Sequence, residues 1–147
     1  MEAVTAPAIG AYSEVGTLRT VMVHRPDLAH ARLSPHNCHD LLFDDVIWVR
    51  RAQEEFDAFV EVMTGRGVEV LLFHDLLNET LERDDAREWV LERRLRPEEV
   101  TALFAREMTE WMRGMPADEL ATRLTGGVMV QELPDDMVKV IGRALRP

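Results

Sequence analysis

The sequence predicts an α/β unit followed by an all-helical bundle. Three observations carry that reading. Two short β-rich runs, residues 18–23 and 68–73, flank a stretch whose apolar residues recur at helical spacing. Beyond His74 the periodic segments are all helical in type. Glycines and prolines, among them Gly65, Gly67, Gly114, Pro116, Gly126 and Gly127, fall between these segments, where turns are needed.

Residues 1–10 read as a loose lead-in. The run from Leu18 to Val23 is rich in branched residues and is soon closed by Pro26, which favours a strand. Residues 30–45 form a polar loop interrupted by Leu41, Leu42 and Phe43. Val49, Ala52, Phe56, Val60 and Met63 then lie three and four apart, on one face of a helix. Asp44 and Asp45 precede that helix and suit its positive end as cap or dipole partner. Gly65 and Gly67 stop it. Residues 68–73 give a second strand, so strand, loop, helix and strand make the start of an α/β unit.

The remaining residues read as short helices. Asp84 and Asp85 precede a helix over 86–95, with Ala86, Trp89, Val90 and Arg93 on one side. Pro97 suits a first helical position. Val100, Phe104, Met108 and Trp111 share a face, Pro116 opens a helix carrying Leu120 and Leu124, and a last helix follows 133–136 with Met137, Ile141 and Leu145 inward. The organisation predicted is therefore residues 1–74 as a partial α/β unit and 75–147 as a helical bundle. A lone strand pair is marginal in water, so the first part looks incomplete by itself.

With 147 residues, 46% of them hydrophobic, the chain is long enough to bury a core without metal or disulfide. Seventeen basic residues against 27 acidic ones give a formal charge of −10. That balance argues against nucleic acid, which needs a basic face, and against docking on anionic lipid. The single cysteine, Cys38, allows no internal disulfide and fits a reducing, cytoplasmic setting. The first ten residues do not resemble a signal peptide, and no run is long and apolar enough for a membrane span.

The densest polar cluster is His36-Asn37-Cys38-His39-Asp40, with His24 and His30 upstream. Its ligands are too crowded for the usual zinc spacing, so no metal is expected. A Cys38–histidine nucleophile needs a base aimed at the thiol, which adjacent residues rarely provide; a structured loop with Cys38 half-buried is the favoured reading. Asp44 and Asp45 as an acid–base or Mg²⁺ pair give way to capping or a loop tie. Arg50 and Arg51 beside Glu54, Glu55 and Asp57 read as an exposed face with local ion pairs. Trp89, Met108 and Trp111 read as bundle core. Gly126-Gly127 is a turn signal, not a phosphate loop, because no strand precedes it.

Several runs, in one order, resemble the bacterial arginine deiminases. They are Ser13-Glu-Val-Gly-Thr-Leu-Arg-Thr-Val-Met-Val-His-Arg-Pro26, Arg32-Leu-Ser-Pro-His-Asn-Cys-His-Asp-Leu-Leu-Phe-Asp-Asp45, Val46-Ile-Trp-Val-Arg-Arg-Ala52, Gly65-Arg-Gly-Val-Glu-Val-Leu71 and Leu76-Leu-Asn-Glu-Thr-Leu81. The resemblance covers about residues 9 to 145 and is weakest in the helical half. It implies the first blade of a five-bladed α/β propeller (pentein-like) with an inserted helical domain, the propeller being incomplete in this chain.

The reaction implied is hydrolysis of L-arginine to L-citrulline and ammonia through a cysteine thiolate, without metal or organic cofactor. In the family the guanidinium-binding aspartate, with its Phe-x-Arg-Asp segment, follows the helical insertion. The glutamate, histidine and nucleophilic cysteine follow later still. By the resemblance all of these fall beyond the position of Pro147, and none has a counterpart in these residues. Cys38 matches a non-catalytic cysteine of the early loop. No catalytic residue is therefore expected here; Leu42 is the one residue matched to the substrate's surroundings, with Asn37, Asp44 and Asp45 shaping its loop.

The resemblance thus implies the N-terminal portion of an arginine deiminase, inactive alone, with L-arginine a partner only of the full-length parent. The alternatives are a natural short binding or assembly protein derived from that family, or an enzyme built on Cys38 and a nearby histidine. The exposed hydrophobes Leu41, Leu42 and Phe43 suggest self-association or a complementing chain.

Overall fold

The computed structural model describes residues 10, 11, 13–95 and 102–144, with 140–144 as backbone alone. The expected roles of residues 1–9, Pro97, Val100, Ile141 and Leu145 lie outside what is described. So does Pro147, the position beyond which the resemblance puts the catalytic residues, and the structure therefore does not bear on that expectation. The chain is mixed α/β and mostly helical, with two parallel strands among the described residues.

Strand β1 spans Thr20–Val23 and β2 spans Glu69–Leu72, paired so that Thr20 lies opposite Glu69 and Val23 opposite Leu72. The first is two residues shorter than the sequence suggests. Leu18 and Arg19 precede the ladder; only the Arg19 carbonyl joins it, accepting from the Glu69 amide at 2.8 Å. Between the strands come a one-turn helix α1, Leu28–Ala31, and the long helix α2, Val49–Thr64. The predicted face of α2 is the one that turns inward: Val49, Ala52, Phe56 and Val60 are half-buried and Met63 is buried. Gly65 follows as the C-cap, and Gly67 takes a φ of 81°, where a side chain would be strained.

Polar ties hold α2 to the end of β1. Gln53 donates to the Pro26 carbonyl at 2.7 Å, and Arg25 grips Asp57 with two bonds of 2.8 Å. Arg51 pairs with Glu54 and Glu55 as the charge pattern predicts, whereas Asp57 serves the distant Arg25. Asp44 and Asp45 do not cap α2. Its N-cap is Trp48 without a side-chain bond, and Asp45 instead accepts from the Val46 amide at 2.7 Å. Three residues, 46–48, separate the carboxylates from the first turn, out of capping reach.

Helix α3, Phe73–Leu81, leaves β2 without a loop. Then come α4 (Asp84–Arg94), α5 (Ala102–Arg113), α6 (Ala117–Gly126), a 3-10 turn over Val130–Glu132 and α7 (Asp135–Ala144). Leu81, Leu91, Met108, Met112, Met115, Leu120, Ala121, Leu133 and Met137 form one buried cluster among these elements. Each large side chain so buried contributes about 1.5–3 kcal/mol relative to exposure. Methionine's flexible thioether fills the irregular gaps that short helices leave.

The half-buried Arg87 closes this cluster's edge. It donates to the carbonyls of Leu81, Arg113 and Met115 at 3.1, 2.9 and 2.7 Å, satisfying acceptors that the ends of α3 and α5 leave free. Trp89 departs from expectation: it is 56% exposed, with Arg93 stacked 3.9 Å from its ring centroid. Helix α4 turns Leu91 into the core, and that rotation carries Trp89 out. Among the described residues no helix is long and apolar enough to cross a membrane.

Candidate functional site

The segment between α1 and α2 is a series of turns closed on themselves. Asp27 caps α1 by accepting from the Ala29 amide at 3.2 Å, while His30 Nδ1 accepts from the Asp27 amide, completing a capping box. Asn37 then folds the next turn. Its Oδ1 accepts from the Ser34 amide at 2.7 Å and its Nδ2 donates to the Arg32 carbonyl at 3.0 Å. One short side chain that carries both an acceptor and a donor ties the preceding turn from within, which is why this position suits Asn. The amides of Cys38, Leu41, Leu42 and Phe43 bond in turn to the carbonyls of Ser34, Asn37, His39 and Cys38.

This winding sorts the side chains. Leu33 and Cys38 go inward, Cys38 to 2% exposure, more deeply than the half-buried position expected. His36, His39 and Asp40 point out. His30 meets Phe43 edge-on at 6.0 Å, and His24 meets Phe73 while bonding Asp27 at 3.1 Å. The structure therefore does not bring the histidines to Cys38. No hydrogen bond joins the thiol to a histidine among the described residues, and no three His, Cys, Asp or Glu side chains there gather in a way that could hold a metal.

Leu42 stands at the tip. It is 95% exposed and its φ is 62°, the left-handed region that a leucine enters at a cost of roughly 1–2 kcal/mol. Leu41 and Phe43 flank it, also exposed. An apolar side chain is thus held away from the core on a strained backbone. Folding alone gives no reason for that arrangement.

At its base the loop is fastened to the helical elements. Arg32 sends its guanidinium to the Gly126 carbonyl and to Glu132, each at 2.5 Å. The other carboxylate oxygen of Glu132 faces Arg123 at 2.5 Å, and Oε2 also accepts from the Met129 amide at 2.7 Å. The Met129 amide and the Arg123 guanidinium hold the Glu132 carboxyl down at about 2, with Arg32 adding to the effect. Sequence reasoning missed these residues. Their separations of 94 and 100 positions leave no local signal, and charged side chains default to the surface.

Beside the loop, Arg25, Asp27, Leu72, His74, Asp75 and Thr122 line a shallow cleft of about 280 Å³. It lies past the carboxyl ends of both strands, where α/β sheets commonly receive ligands. The chemistry present is a cleft whose exposed lining is mostly apolar despite its charged residues, an apolar tip and a buried thiol, without a nucleophile–base pair among the described residues. Residues 39–141, from within this loop to within the last helix and more than half of the chain, match the family model described as Arginine deiminase. That stretch takes in the loop tip, α2, β2 and the helical cluster, and the chain belongs to the arginine deiminases.

Proposed function

We propose that this chain is the opening part of an arginine deiminase and that the loop tip at 41–43 is its contribution to the substrate side. The observation that carries this is Leu42, apolar, 95% exposed and held at a φ of 62°. Strain kept at a position that does nothing for the core points to a role in contact with something else. In the reaction of the family, a thiolate attacks the guanidinium carbon of L-arginine, ammonia leaves, and water hydrolyses the covalent intermediate to L-citrulline. An apolar tip over such a site keeps bulk water from competing during the first step.

Residues 1–74 on this reading are the first blade of a five-bladed propeller and 75–147 the inserted helical bundle. The two outer edges of the strand pair, unpaired among the described residues, support it, since such edges are ordinarily covered by further strands. The nucleophile, the histidine and the guanidinium-binding carboxylates come from residues other than these, and Cys38 is structural. No cofactor enters the reaction, and the setting is cytoplasmic. A second reading, a non-catalytic binding or assembly protein derived from the family, draws on the self-contained core of Leu81, Leu91, Leu120 and their neighbours.

The test is citrulline formation by the purified chain, alone and mixed with a complementing chain that carries the family's cysteine, histidine and carboxylates. Alone it is expected to give no turnover. The mixture is expected to be active, and Leu42→Gly to lower its rate roughly ten- to a hundredfold, as a misplaced closing element does. Turnover by the chain alone that vanishes on Cys38→Ala would replace this account with an independent cysteine enzyme. A mixture that binds but stays inactive would favour the non-catalytic reading.

A further inference from the structure

We infer that the helical part holds the Leu42 loop shut through one shared carboxylate, Glu132, which makes Arg32 and Glu132 positioning residues for that loop. The inference rests on the proposed role of Leu42 for its significance, but its geometry stands apart from any chemistry. Arg32 belongs to both sides of the contact. Its carbonyl accepts from Asn37 Nδ2 at 3.0 Å, inside the loop, while its guanidinium reaches Gly126 and Glu132 in the helical part. Glu132 in turn gathers Arg123 of α6 and the Met129 amide before the 3-10 turn. A single carboxylate thus ties together the loop, one helix end and one turn.

Three features make this a clamp rather than an ordinary surface pair. The side chains of Arg32, Arg123 and Glu132 are 15, 20 and 28% exposed, so water replaces these bonds poorly. Two guanidiniums face one carboxylate, and removing it leaves Arg32 without its carboxylate partner and Arg123 with only the more distant Glu119, at 3.8 Å. The Gly126 carbonyl lies at the negative end of α6, where a cation is favoured.

The contact also has no slack. A Cβ on Gly126 would lie 2.8 Å from the Cβ and Cγ of Leu28, so α1 sits directly on the end of α6. Leu28 and Arg32 are one helical turn apart and hold the same end of that helix, one by shape and one by charge. The loop they anchor encloses Cys38, the single cysteine of the chain, at 2% exposure. Its thiol is therefore a built-in reporter of loop opening.

The experiment measures the rate at which a neutral pyridyl disulfide modifies Cys38 in the full chain under native conditions. It compares the wild type with Glu132→Ala, Arg32→Lys and, as a control, Glu88→Ala. Glu88 pairs bidentately with Arg113 at 2.6 and 2.9 Å but lies within the helical part, away from the loop. Thermal unfolding followed by circular dichroism is recorded for each.

Glu132→Ala is expected to speed modification about tenfold or more, because a part-buried charged network is lost and the loop opens locally. Arg32→Lys keeps one of the two bonds and is expected to give a smaller acceleration of a few-fold. Glu88→Ala is expected to stay within about twofold of wild type. An unchanged rate in Glu132→Ala would overturn the inference. So would an acceleration that Glu88→Ala matches, or one that merely follows a lowered melting point. If Glu132→Ala does not fold, Arg32→Lys decides alone: a folded variant at the wild-type rate overturns the clamp. No arm measures citrulline, so failure here leaves the proposed reaction untouched.

Discussion

The two parts of this molecule are held in different ways. The helical part, from α3 to α7, buries nine side chains among its described residues in one apolar cluster around Leu81, Leu91, Met112 and Leu120. The part before it buries Leu33, Cys38 and Met63 and relies on polar ties: Arg25 to Asp57, Gln53 to the Pro26 carbonyl, Arg32 to Glu132. Apolar burial is non-directional and sets how stable a unit is. Charged and hydrogen-bonded ties are directional; their net stabilisation is modest, but they fix where one piece sits on another. In this chain the helical part supplies stability, and the α/β part is positioned against it.

Cutting into the cluster is the strongest way to break that contrast. Leu120→Ala, at a site with 0% exposure, is expected to cost about 2–5 kcal/mol in denaturant unfolding followed by helical signal. Met63→Ala, in the sparser first part, is expected to fall at the lower end of that range, about 2 kcal/mol, because its surroundings collapse more easily. Equal losses at the two sites would show that the first part has a core of its own.

Acid should release the first part before the second. The folded Glu132 carboxyl titrates at about 2, below its ordinary value of 4.5. A depressed acid contributes stability that is complete above about 4.5 and is lost as pH falls toward about 2. Arg32 from the loop and Arg123 from α6 face it, with Glu119 3.8 Å from Arg123, so protonation of Glu132 removes the carboxylate that the two guanidiniums share. The Met129 amide signal in NMR, which reports the Glu132 bond directly, is expected to shift with a midpoint near 2 and to lose that titration in Glu132→Gln. A midpoint near 4.5 would mean the clamp is open in solution.

The exposed tip gives two smaller tests. Light scattering of the wild type against a Leu41→Ser, Leu42→Ser, Phe43→Ser variant should show weak association only in the wild type, since three adjacent apolar side chains form an adhesive patch. A wild type that stays monomeric at high concentration would remove self-association as a role for the tip. Leu42→Gly is expected to leave stability unchanged or raise it by up to about 1 kcal/mol. The left-handed strain it relieves is partly offset by the greater freedom of glycine in the unfolded chain. A clear loss of stability would place Leu42 in the fold's own packing.

Much of the fold is legible in the sequence, because periodicity records which face is buried. The helix over 49–63 is read almost to the residue, and Gly65, Gly114 and Gly127 lie where helices end. The misreadings have local causes. Phe73 belongs to α3 rather than the strand, since the backbone turns helical directly after Leu72 with no breaker to mark it. Trp89 reads as core by type, yet Leu91 fixes the rotation of α4 and leaves Trp89 outside. Asp44 and Asp45 have capping chemistry but stand too far from the first turn, so of the two readings, cap or loop tie, Asp45 takes the second. The clamp is illegible for another reason: Arg32, Arg123 and Glu132 are ordinary surface residue types, and only the folded chain shows that they share a place.

Native-state hydrogen exchange, residue by residue, tests the central contrast most directly. Amides within α5 and α6, around Met108 and Leu120, are expected to exchange only by global unfolding. Those of β1, Thr20–Val23, should exchange through local opening, at rates larger by at least about a hundredfold. Protection of β1 equal to or greater than that of α6 would contradict it, and would show the strand pair as a stable unit in its own right.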